Sequence, residues 1–287
     1  MNDINFTPNL TGLFGHPVSE NPTVLMIESA FKSLDMENWR YITLDIPSDD
    51  LEQAIDSIRL FKMKGVHLTI PHKVESIHLV DEITKEAEMI GAINTIVNDN
   101  GKLIGHNTDG KGFMTSLKKD AKIGDLKDKK AMILGSGGAA RAISFELAIA
   151  GINSLTIVNR TDKRGLDLVD ELQRFDHINV DFKLWDHDIE IDDIDILIQA
   201  TSIGLYPNKD LPKINYNQLT PNILACDLIP NPAVTPFLKE CKRHNLRLLD
   251  GLGMLVYQGA IAFELWTKRK PSVNVMKRSL EIFFQNN

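Results

Sequence analysis

The chain has 287 residues, of which 43% are hydrophobic and 25% are charged, and its formal net charge is -7 with a pI near 5.6. This length and composition predict a folded protein with room for two separate cores, and they argue against a chain dominated by disorder. The acidic balance argues against a general nucleic-acid or anionic-membrane surface, because both attract clusters of Lys and Arg.

The first hundred residues alternate between strand-like and helix-like segments. We predict strands at 10–14, 39–46 and 66–70, a helix beginning near Pro22, and a second helix capped by Ser48 with Leu51, Ile55 and Ile58 on one face. Residues 92–97 and 102–106 flank Asp99-Asn100-Gly101, a signal for a β-hairpin. The pattern predicts an N-terminal α/β domain.

A glycine-rich turn follows a short apolar strand in the middle of the chain. Gly135, Gly137 and Ala140 occupy the Gly-x-Gly-x-x-Gly/Ala positions of the dinucleotide fingerprint, within the run Gly135-Ser136-Gly137-Gly138-Ala139-Ala140. The helix after this turn ends at Gly151, and a strand at 155–158 completes a β-α-β unit. A dinucleotide site is therefore favoured over a glycine-rich connection that binds nothing.

Further strands are predicted at 131–134, 194–200, 223–228 and 247–249, followed by helices at 252–266 and 273–284. The fold class is therefore α/β with two domains, the second being a Rossmann-type doubly wound parallel sheet. We expect residues 1–110 with 251–287 to form the substrate domain and residues 111–250 the dinucleotide domain. The C-terminal helices are expected to pack on the first domain, with the active site in the cleft between the two.

Two segments of the first domain carry an unusual density of polar side chains at predicted strand ends. They are Thr69-Ile70-Pro71-His72-Lys73 and Gly105-His106-Asn107-Thr108-Asp109-Gly110. Hydride transfer to or from a nicotinamide needs a second group that exchanges the proton on the substrate oxygen, and a partner that orients this group. Lys73 and Asp109 are the candidate pair. The alternative is that both are solvated turn residues without a catalytic role.

The strand at 155–158 is followed by Asn159-Arg160-Thr161-Asp162-Lys163-Arg164, about 20 residues past the glycine turn, where Rossmann domains read the ribose 2′ position. Arg160, helped by Thr161 and by Lys163 or Arg164, favours the 2′-phosphate of NADP. Asp162 favours the free hydroxyl of NAD, so use of NAD stays open.

Processing and metal-binding signals are absent from the sequence. The N-terminus has no charged and apolar signal-peptide pattern, and no apolar run has the length of a membrane span, so a cytoplasmic protein is expected. Cys226 and Cys241 match no redox or metal spacing, and the eight histidines form no metal motif, so no metal site is predicted.

Seven motifs, taken together and in this order, resemble the shikimate and quinate dehydrogenases over nearly the whole chain. They are Gly15-His16-Pro17-Val18, Thr69-Ile70-Pro71-His72-Lys73, Gly91-Ala92-Ile93-Asn94-Thr95, Asn107-Thr108-Asp109-Gly110, the glycine turn, Asn159-Arg160-Thr161 and the run from Gly251 to Ala260 that contains Gln258. The resemblance implies nicotinamide-dependent oxidation of a ring hydroxyl on a cyclic hydroxy acid such as shikimate or quinate.

The resemblance also implies roles for individual residues. Lys73 and Asp109 would form the catalytic pair, and substrate groups would be held by Thr69, Asn94, Asn107 and Gln258. Cofactor contacts would come from the glycine turn (Gly135, Ser136, Gly137, Gly138, Ala139), from Asn159, Arg160, Thr161 and Arg164, and from Gly251.

The chain departs from the family pattern at three positions. Asn21 and Thr23 stand where the family has two serines that hold the substrate carboxylate, and Pro230 stands where it has a tyrosine that reaches the same group. The identity of the substrate is therefore open, as are the direction of the reaction and the choice between monomer and homodimer.

Two alternative functions remain. One is a regulatory protein that binds a nucleotide or metabolite without turnover, and the other is a folate-linked dehydrogenase of similar fold.

Overall fold

A computed structural model describes residues 6–232 and 234–286, and these residues form two compact units. The first unit runs to Gly112 and resumes at Val256, and the second unit runs from Phe113 to Leu255. Helices α4 (Asp109–Lys119) and α8 (Gly251–Thr267) each contain residues of both units.

The first unit contains a mixed six-stranded sheet with the order β2-β1-β3-β5-β6-β4. Strands β1, β2 and β3 are parallel, β5 runs antiparallel to both β3 and β6, and β4 is parallel to β6. Four helices, α1, α2, α3 and α9, lie wholly within this unit. The bounds are β1 (Asn9–Gly15), α1 (Thr23–Ser33), β2 (Trp39–Asp45), α2 (Leu51–Leu60), β3 (Gly65–Leu68), β4 (Glu82–Ile83), α3 (Lys85–Ile90), β5 (Thr95–Asp99), β6 (Lys102–His106) and α9 (Val273–Asn286).

The second unit is built on a fully parallel sheet with the order β12-β11-β10-β7-β8-β9. This is the strand order of a doubly wound dinucleotide-binding sheet, and its topological switch point lies between β7 and β10. The bounds are β7 (Lys130–Leu134), α5 (Gly138–Ile149), β8 (Ser154–Asn159), α6 (Asp162–Leu172), β9 (Asn179–Leu184), β10 (Ile196–Gln199), β11 (Leu224–Asp227), α7 (Pro236–Arg243) and β12 (Arg247–Leu249).

Alternation of apolar residues along the strands determines which elements cover each face. Val66 and Leu68 of β3 lie in one buried cluster with Ile55 and Ile58 of α2. The intervening His67 points to the opposite face of the sheet, where its ring contacts that of Trp266 from α8 at 4.6 Å between centroids. Helix α8 is further fixed by its Trp266 Nε1, which donates to the Ile96 carbonyl at 2.9 Å.

The sequence-based prediction of a helix cap at Ser48 is wrong. Ser48 begins a 3-10 turn, Ser48–Asp50, and α2 starts only at Leu51, with Asp50 as an N-cap that makes no side-chain hydrogen bond. The two acidic residues of this turn, Asp49 and Asp50, complement the positive end of the helix without a side-chain hydrogen bond to its first amides. The predicted strand at 66–70 ends at Leu68.

The hairpin prediction is confirmed around Asn100 and Gly101. Strands β5 and β6 pair from Asp99↔Lys102 to Thr95↔His106, and both turn residues have positive φ angles, 52° and 100°. Such a turn matches the twist of the two flanking strands. The first strand begins at Thr95, three residues after the predicted start at residue 92.

None of the helices within the described ranges combines the length and the apolar character that crossing a bilayer requires.

Gly65 lies where the backbones of β3 and β5 and the Trp266 ring meet. Its φ is +153°, and a Cβ at this position would lie 2.1 Å from the Ile96 carbonyl oxygen and 2.3 Å from Trp266 Nε1. We expect Gly65→Ala to destabilise the protein by about 3 kcal/mol or more, because neither backbone nor indole can move away without breaking their hydrogen bond. Urea unfolding tests this, with Gly124→Ala as the control, since a Cβ there meets nothing within 4 Å. Equal stability of the two variants would contradict the prediction.

Asp227 at the end of β11 is a buried carboxylate that organises the following loop. It is 1% exposed, and it accepts hydrogen bonds from Thr235 Oγ1 at 2.6 Å and from the Ile229 amide at 3.0 Å. Burial raises the pKa of Asp227 from 3.8 to about 6. The folded state therefore binds this proton more tightly than the unfolded state does, and stability falls as the pH rises from about 4 to about 6 before levelling off.

We expect Asp227→Asn to remove this pH dependence. Relative to the variant, the parent should lose about 2 kcal/mol of unfolding free energy between pH 4.5 and pH 7.5. Urea unfolding of both proteins at the two pH values measures this difference. A difference between the proteins that does not change with pH would show that Asp227 is ionised throughout.

Candidate active site

Lys73 and Asp109 form an ion pair in the first unit. Lys73 Nζ donates to Asp109 Oδ2 at 2.6 Å, and the two side chains are 19% and 6% exposed. Lys73 follows β3 through a turn in which the His72 amide donates to the Thr69 carbonyl at 2.9 Å, and Asp109 is the first residue of α4. The two strand-end segments singled out in the sequence are therefore brought into contact.

The side chain of Asn94 links the pair to its surroundings. Its Nδ2 donates to Asp109 Oδ1 at 2.9 Å, and its Oδ1 accepts from the Thr108 amide at 2.7 Å. Asn94 is 2% exposed, so these hydrogen bonds are shielded from water. An unpaired amide in such a buried position would be costly. Each carboxylate oxygen of Asp109 is thus held by a different side chain, which fixes the orientation of the carboxylate toward Lys73.

Gln258 of α8 joins the same network. Its Oε1 lies 3.2 Å from Asn94 Nδ2 and 3.3 Å from Thr108 Oγ1. The residue is 164 positions away from Asn94 in the chain, and it is brought here because α8 packs on the sheet of the first unit. The structure therefore brings together Lys73, Asn94, Asp109 and Gln258, four of the residues predicted from the sequence.

The sequence analysis did not single out Thr108 itself. Its side chain and amide both contact Asn94, and its hydroxyl reaches Gln258. The predicted ligand Asn107 instead uses both ends of its side chain on the backbone: Nδ2 donates to the Ala92 carbonyl at 3.0 Å and Oδ1 accepts from the Asp109 amide at 3.1 Å. Both residues lie in one polar run, and only the tertiary contacts distinguish them.

His67 of β3 is buried and close enough to Lys73 to feel its charge. Its Nδ1 is 2.7 Å from the Tyr41 hydroxyl. Burial, reinforced by the positive charge of Lys73, lowers the pKa of His67 to about 3. His67 therefore adds no positive charge beside Lys73 at neutral pH, and Lys73 is the cation of the network.

Asn21 and Thr23 form a hydrogen-bonded turn at the start of α1. Asn21 Oδ1 accepts from the Thr23 amide at 3.0 Å and from Thr23 Oγ1 at 2.6 Å. Thr23 is 3% exposed, while Asn21 is only partly buried. The predicted ligand Thr69 is also partly buried, and its methyl group packs against Gly15 at the end of β1, where an added Cβ would lie 2.2 Å away.

In the second unit the glycine turn leads from β7 into α5. Gly135 has φ +110°, and an added Cβ would lie 3.2 Å from the Ala200 carbonyl oxygen, so this position requires glycine. A Cβ on the exposed Gly137 would meet nothing within 4 Å, which leaves the N-terminus of α5 open to a ligand. Ser136 and Ala140 are buried, whereas Gly138 and Ala139 are partly exposed.

The predicted ribose-binding residues follow β8, the neighbour of β7. The Gly135 amide donates to the Val158 carbonyl at 2.7 Å, so the glycine turn and the segment after β8 begin side by side. Arg160, Thr161 and Arg164 are exposed, and Asn159 Nδ2 donates to the Thr161 carbonyl at 2.9 Å. The predicted contact Gly251 is buried against backbone, where an added Cβ would lie 2.7 Å from the Ile229 carbonyl. Pro230, half-buried, is in the same loop.

A further segment at the switch point of the parallel sheet was missed from the sequence. Gln199 ends β10, beside β7, and its Oε1 accepts from the Thr201 amide and hydroxyl, both at 2.7 Å, while Nε2 donates to the Ile203 carbonyl at 2.8 Å. Gln199 is fully buried and holds this loop beside the glycine turn. The sequence feature that could have identified this segment is a glutamine at the end of an otherwise apolar strand.

Family models match most of the chain. The shikimate dehydrogenase substrate binding domain matches residues 13–96, the shikimate/quinate 5-dehydrogenase model matches residues 117–255, and the shikimate 5′-dehydrogenase C-terminal domain matches residues 251–281.

Individual proteins are similar over almost the full length. The shikimate dehydrogenase (NADP+) of Methanocaldococcus jannaschii is 41% identical, with 96% of this chain and 98% of the relative covered. A crystal structure of a shikimate dehydrogenase in complex with NADP+ has a TM-score of 0.89 at 40% identity, covering 98% of this chain and 97% of that one. The ligand-free 5-ketofructose reductase of Gluconobacter sp. strain CHM43 has a TM-score of 0.88 at 39% identity, covering 98% of this chain and all of that one.

Proposed function

The chain belongs to the shikimate and quinate dehydrogenase family and is an NADP-dependent oxidoreductase acting on a CH-OH group, and from that premise we propose that its substrate is a cyclic hydroxy acid such as shikimate, quinate or a related compound. The observation that carries this proposal is the 2.6 Å contact between Lys73 Nζ and Asp109 Oδ2 in a largely buried polar network. A protein that only binds a metabolite has little use for such a proton-exchanging pair, and no comparison supports the regulatory alternative.

The pair supplies the acid-base part of the reaction. Lys73 gives a proton to the substrate oxygen when a ketone is reduced and takes it back when the alcohol is oxidised, and Asp109 orients the ammonium group. The cofactor, when bound, supplies or accepts the hydride at the same carbon. The amide and hydroxyl groups of Asn94, Thr108 and Gln258 suit the hydroxyl groups of the substrate, since each is both rigidly held and close to the pair.

The second unit fits a dinucleotide. The glycine at position 137 leaves space at the N-terminus of α5, whose first amides and dipole favour a pyrophosphate. Ser136, Gly137, Gly138 and Ala139 would hold the pyrophosphate, with Asn159, Arg160, Thr161 and Arg164 at the ribose. We assign the substrate to the first unit and the cofactor to the second. The cytoplasmic location and the monomeric or homodimeric state expected from the sequence are part of the same proposal.

A second candidate substrate is a neutral ketose, with 5-ketofructose as its representative. It is favoured by the similarity to the 5-ketofructose reductase, whose 39% identity is close to the 40% of the NADP+-bound shikimate dehydrogenase structure. The chemistry required of Lys73 and Asp109 is the same, because both reactions convert a ketone and a secondary alcohol into one another.

We expect Lys73→Ala to lower kcat by about 10²- to 10⁴-fold while leaving the Kd for NADP nearly unchanged. Lys73→Arg should be equally inactive, although it preserves the ion pair with Asp109, because a guanidinium does not release its proton at accessible pH. Steady-state kinetics and cofactor titration test both. Lys102→Ala is the control, since Lys102 forms an exposed ion pair with Glu82 in the same unit. Activity of Lys73→Arg within a few fold of the parent would refute the role.

We expect Arg160→Ala to weaken NADP binding by roughly 10- to 150-fold, because a charge-assisted hydrogen bond contributes about 1.5 to 3 kcal/mol. NAD binding should scarcely change, because NAD lacks the 2′-phosphate. Fluorescence titration with both cofactors measures the two effects, and Arg243→Ala, an exposed arginine of α7, serves as the control. Equal losses for the two cofactors would refute the assignment.

A further inference from the structure

We infer that Trp266 of α8 is a positioning residue, which places Gln258 of the same helix against the network of Lys73 and Asp109. The inference rests on the proposed function and deepens it, because it assigns substrate binding at this site to a residue that lies away from the reacting groups. Trp266 is 6% exposed and belongs, like Gln258, to the first unit.

Two hydrogen bonds join α8 to β5 and to the residue that precedes this strand. Trp266 Nε1 donates to the Ile96 carbonyl at 2.9 Å, and Gln258 Oε1 lies 3.2 Å from Asn94 Nδ2. Asn94 and Ile96 are neighbours on one extended segment, whereas Gln258 and Trp266 are separated by about 12 Å of helix. Because the helix is rigid, a shift at Trp266 is transmitted to Gln258.

The indole of Trp266 is enclosed on several sides. A Cβ at Gly65 would lie 2.3 Å from Trp266 Nε1, so the glycine leaves the space that the indole occupies. The His67 ring contacts the indole edge to face at 4.6 Å between centroids, and the Tyr41 ring lies 6.2 Å from it. These contacts fix the indole at one position on the sheet, and they fix α8 with it.

Tyr41 and His67 form a neutral pair beside the indole. The Tyr41 hydroxyl lies 2.7 Å from His67 Nδ1, and both side chains are buried. Burial lowers the pKa of His67 to about 3 and raises the pKa of Tyr41 well above its usual value. The pair is therefore uncharged at neutral pH, and its hydrogen bond holds the imidazole against Trp266.

The contacts of Gln258 are sensitive to a small displacement of α8. Gln258 Oε1 lies 3.2 Å from Asn94 Nδ2 and 3.3 Å from Thr108 Oγ1, near the upper end of the normal range for hydrogen bonds. A shift of a few tenths of an ångström away from the sheet would weaken both. The bond of Trp266 is shorter, at 2.9 Å, and it opposes such a shift.

The acid-base pair does not depend on α8 in this way. Lys73 Nζ and Asn94 Nδ2 hold the two oxygens of Asp109 at 2.6 Å and 2.9 Å, and none of these residues belongs to the helix. Loss of the Trp266 bond should therefore weaken substrate binding through Gln258 and leave proton exchange nearly intact.

A double-mutant cycle in the full-length protein tests this role, with shikimate and NADP+ or 5-ketofructose and NADPH as substrates. Trp266→Phe keeps a ring and removes the Nε1 donor. We expect it to raise KM by about three- to tenfold, with kcat and the Kd for NADP within about twofold of the parent. In the Gln258→Ala background the same change should alter KM by less than about twofold, because the effect of Trp266 passes through Gln258.

Trp185→Phe is the matched control. Trp185 Nε1 also donates to a backbone carbonyl, that of Lys213 at 2.8 Å, but this bond lies in the second unit. The replacement removes the same kind of donor and should leave KM unchanged. Thermal unfolding of both variants then separates the loss of stability that accompanies a lost indole donor from the loss of substrate binding.

Tyr41→Phe is a milder second variant, which serves if Trp266→Phe does not fold. It removes one hydroxyl and leaves His67 Nδ1 without this partner, so the imidazole beside Trp266 is less firmly held. We expect a rise in KM of about threefold, and no such rise in the Gln258→Ala background.

Three results would overturn the inference and leave the proposed function intact. They are an unchanged KM in the Trp266 variant, an equal rise in KM with and without the Gln258 side chain, and a fall in kcat as large as the rise in KM. A parent protein that turns over neither substrate would instead refute the proposed function, and this inference with it.

Discussion

The first unit depends on one buried carboxylate whose two oxygens have different partners. Asp109 Oδ2 accepts from Lys73 and Oδ1 accepts from Asn94. Because both bonds are largely shielded from water, neither partner can be released without leaving a charge or an amide unpaired. The requirement to satisfy this one group brings together the end of β3, the start of β5, the start of α4 and, through Gln258, the helix α8.

The hydrogen bonds that polar side chains make within the protein also show which of these side chains support the fold and which could contact a ligand. Asn107 uses both ends of its side chain on backbone groups, and the Thr23 hydroxyl is committed to Asn21. Gln199 in the second unit likewise uses its amide to hold the loop beside the glycine turn. Polar residues in a site segment are therefore not equivalent, and their hydrogen-bond partners decide which of them can face a substrate.

The same scaffold is used by proteins named for chemically different substrates. The structures of a shikimate dehydrogenase and of a 5-ketofructose reductase are 40% and 39% identical to this chain. Proton exchange and cofactor binding are common requirements of both reactions.

Local pattern was sufficient for the α/β class, the parallel sheet of the second unit, the glycine turn, the hairpin at Asn100-Gly101 and the pairing of Lys73 with Asp109. These features follow from hydrophobic periodicity, from the conformational demands of glycine and from the rule that strand ends gather ligands. The sequence failed at Ser48, because a cap is defined by the direction of one side chain, and a serine at a helix start does not fix that direction.

Only the tertiary structure decided which polar residues meet. Gln258 and Asn94 are 164 residues apart, and their contact depends on how α8 packs on the sheet. The separation of Thr108 from Asn107, the neutral state of His67 and the internal bond between Thr23 and Asn21 are also consequences of burial and packing. The sequence by itself determined the chemistry available to this protein, because residue types carry that chemistry. Its arrangement required the fold, because hydrogen bonds between distant segments are set by packing and not by local propensity.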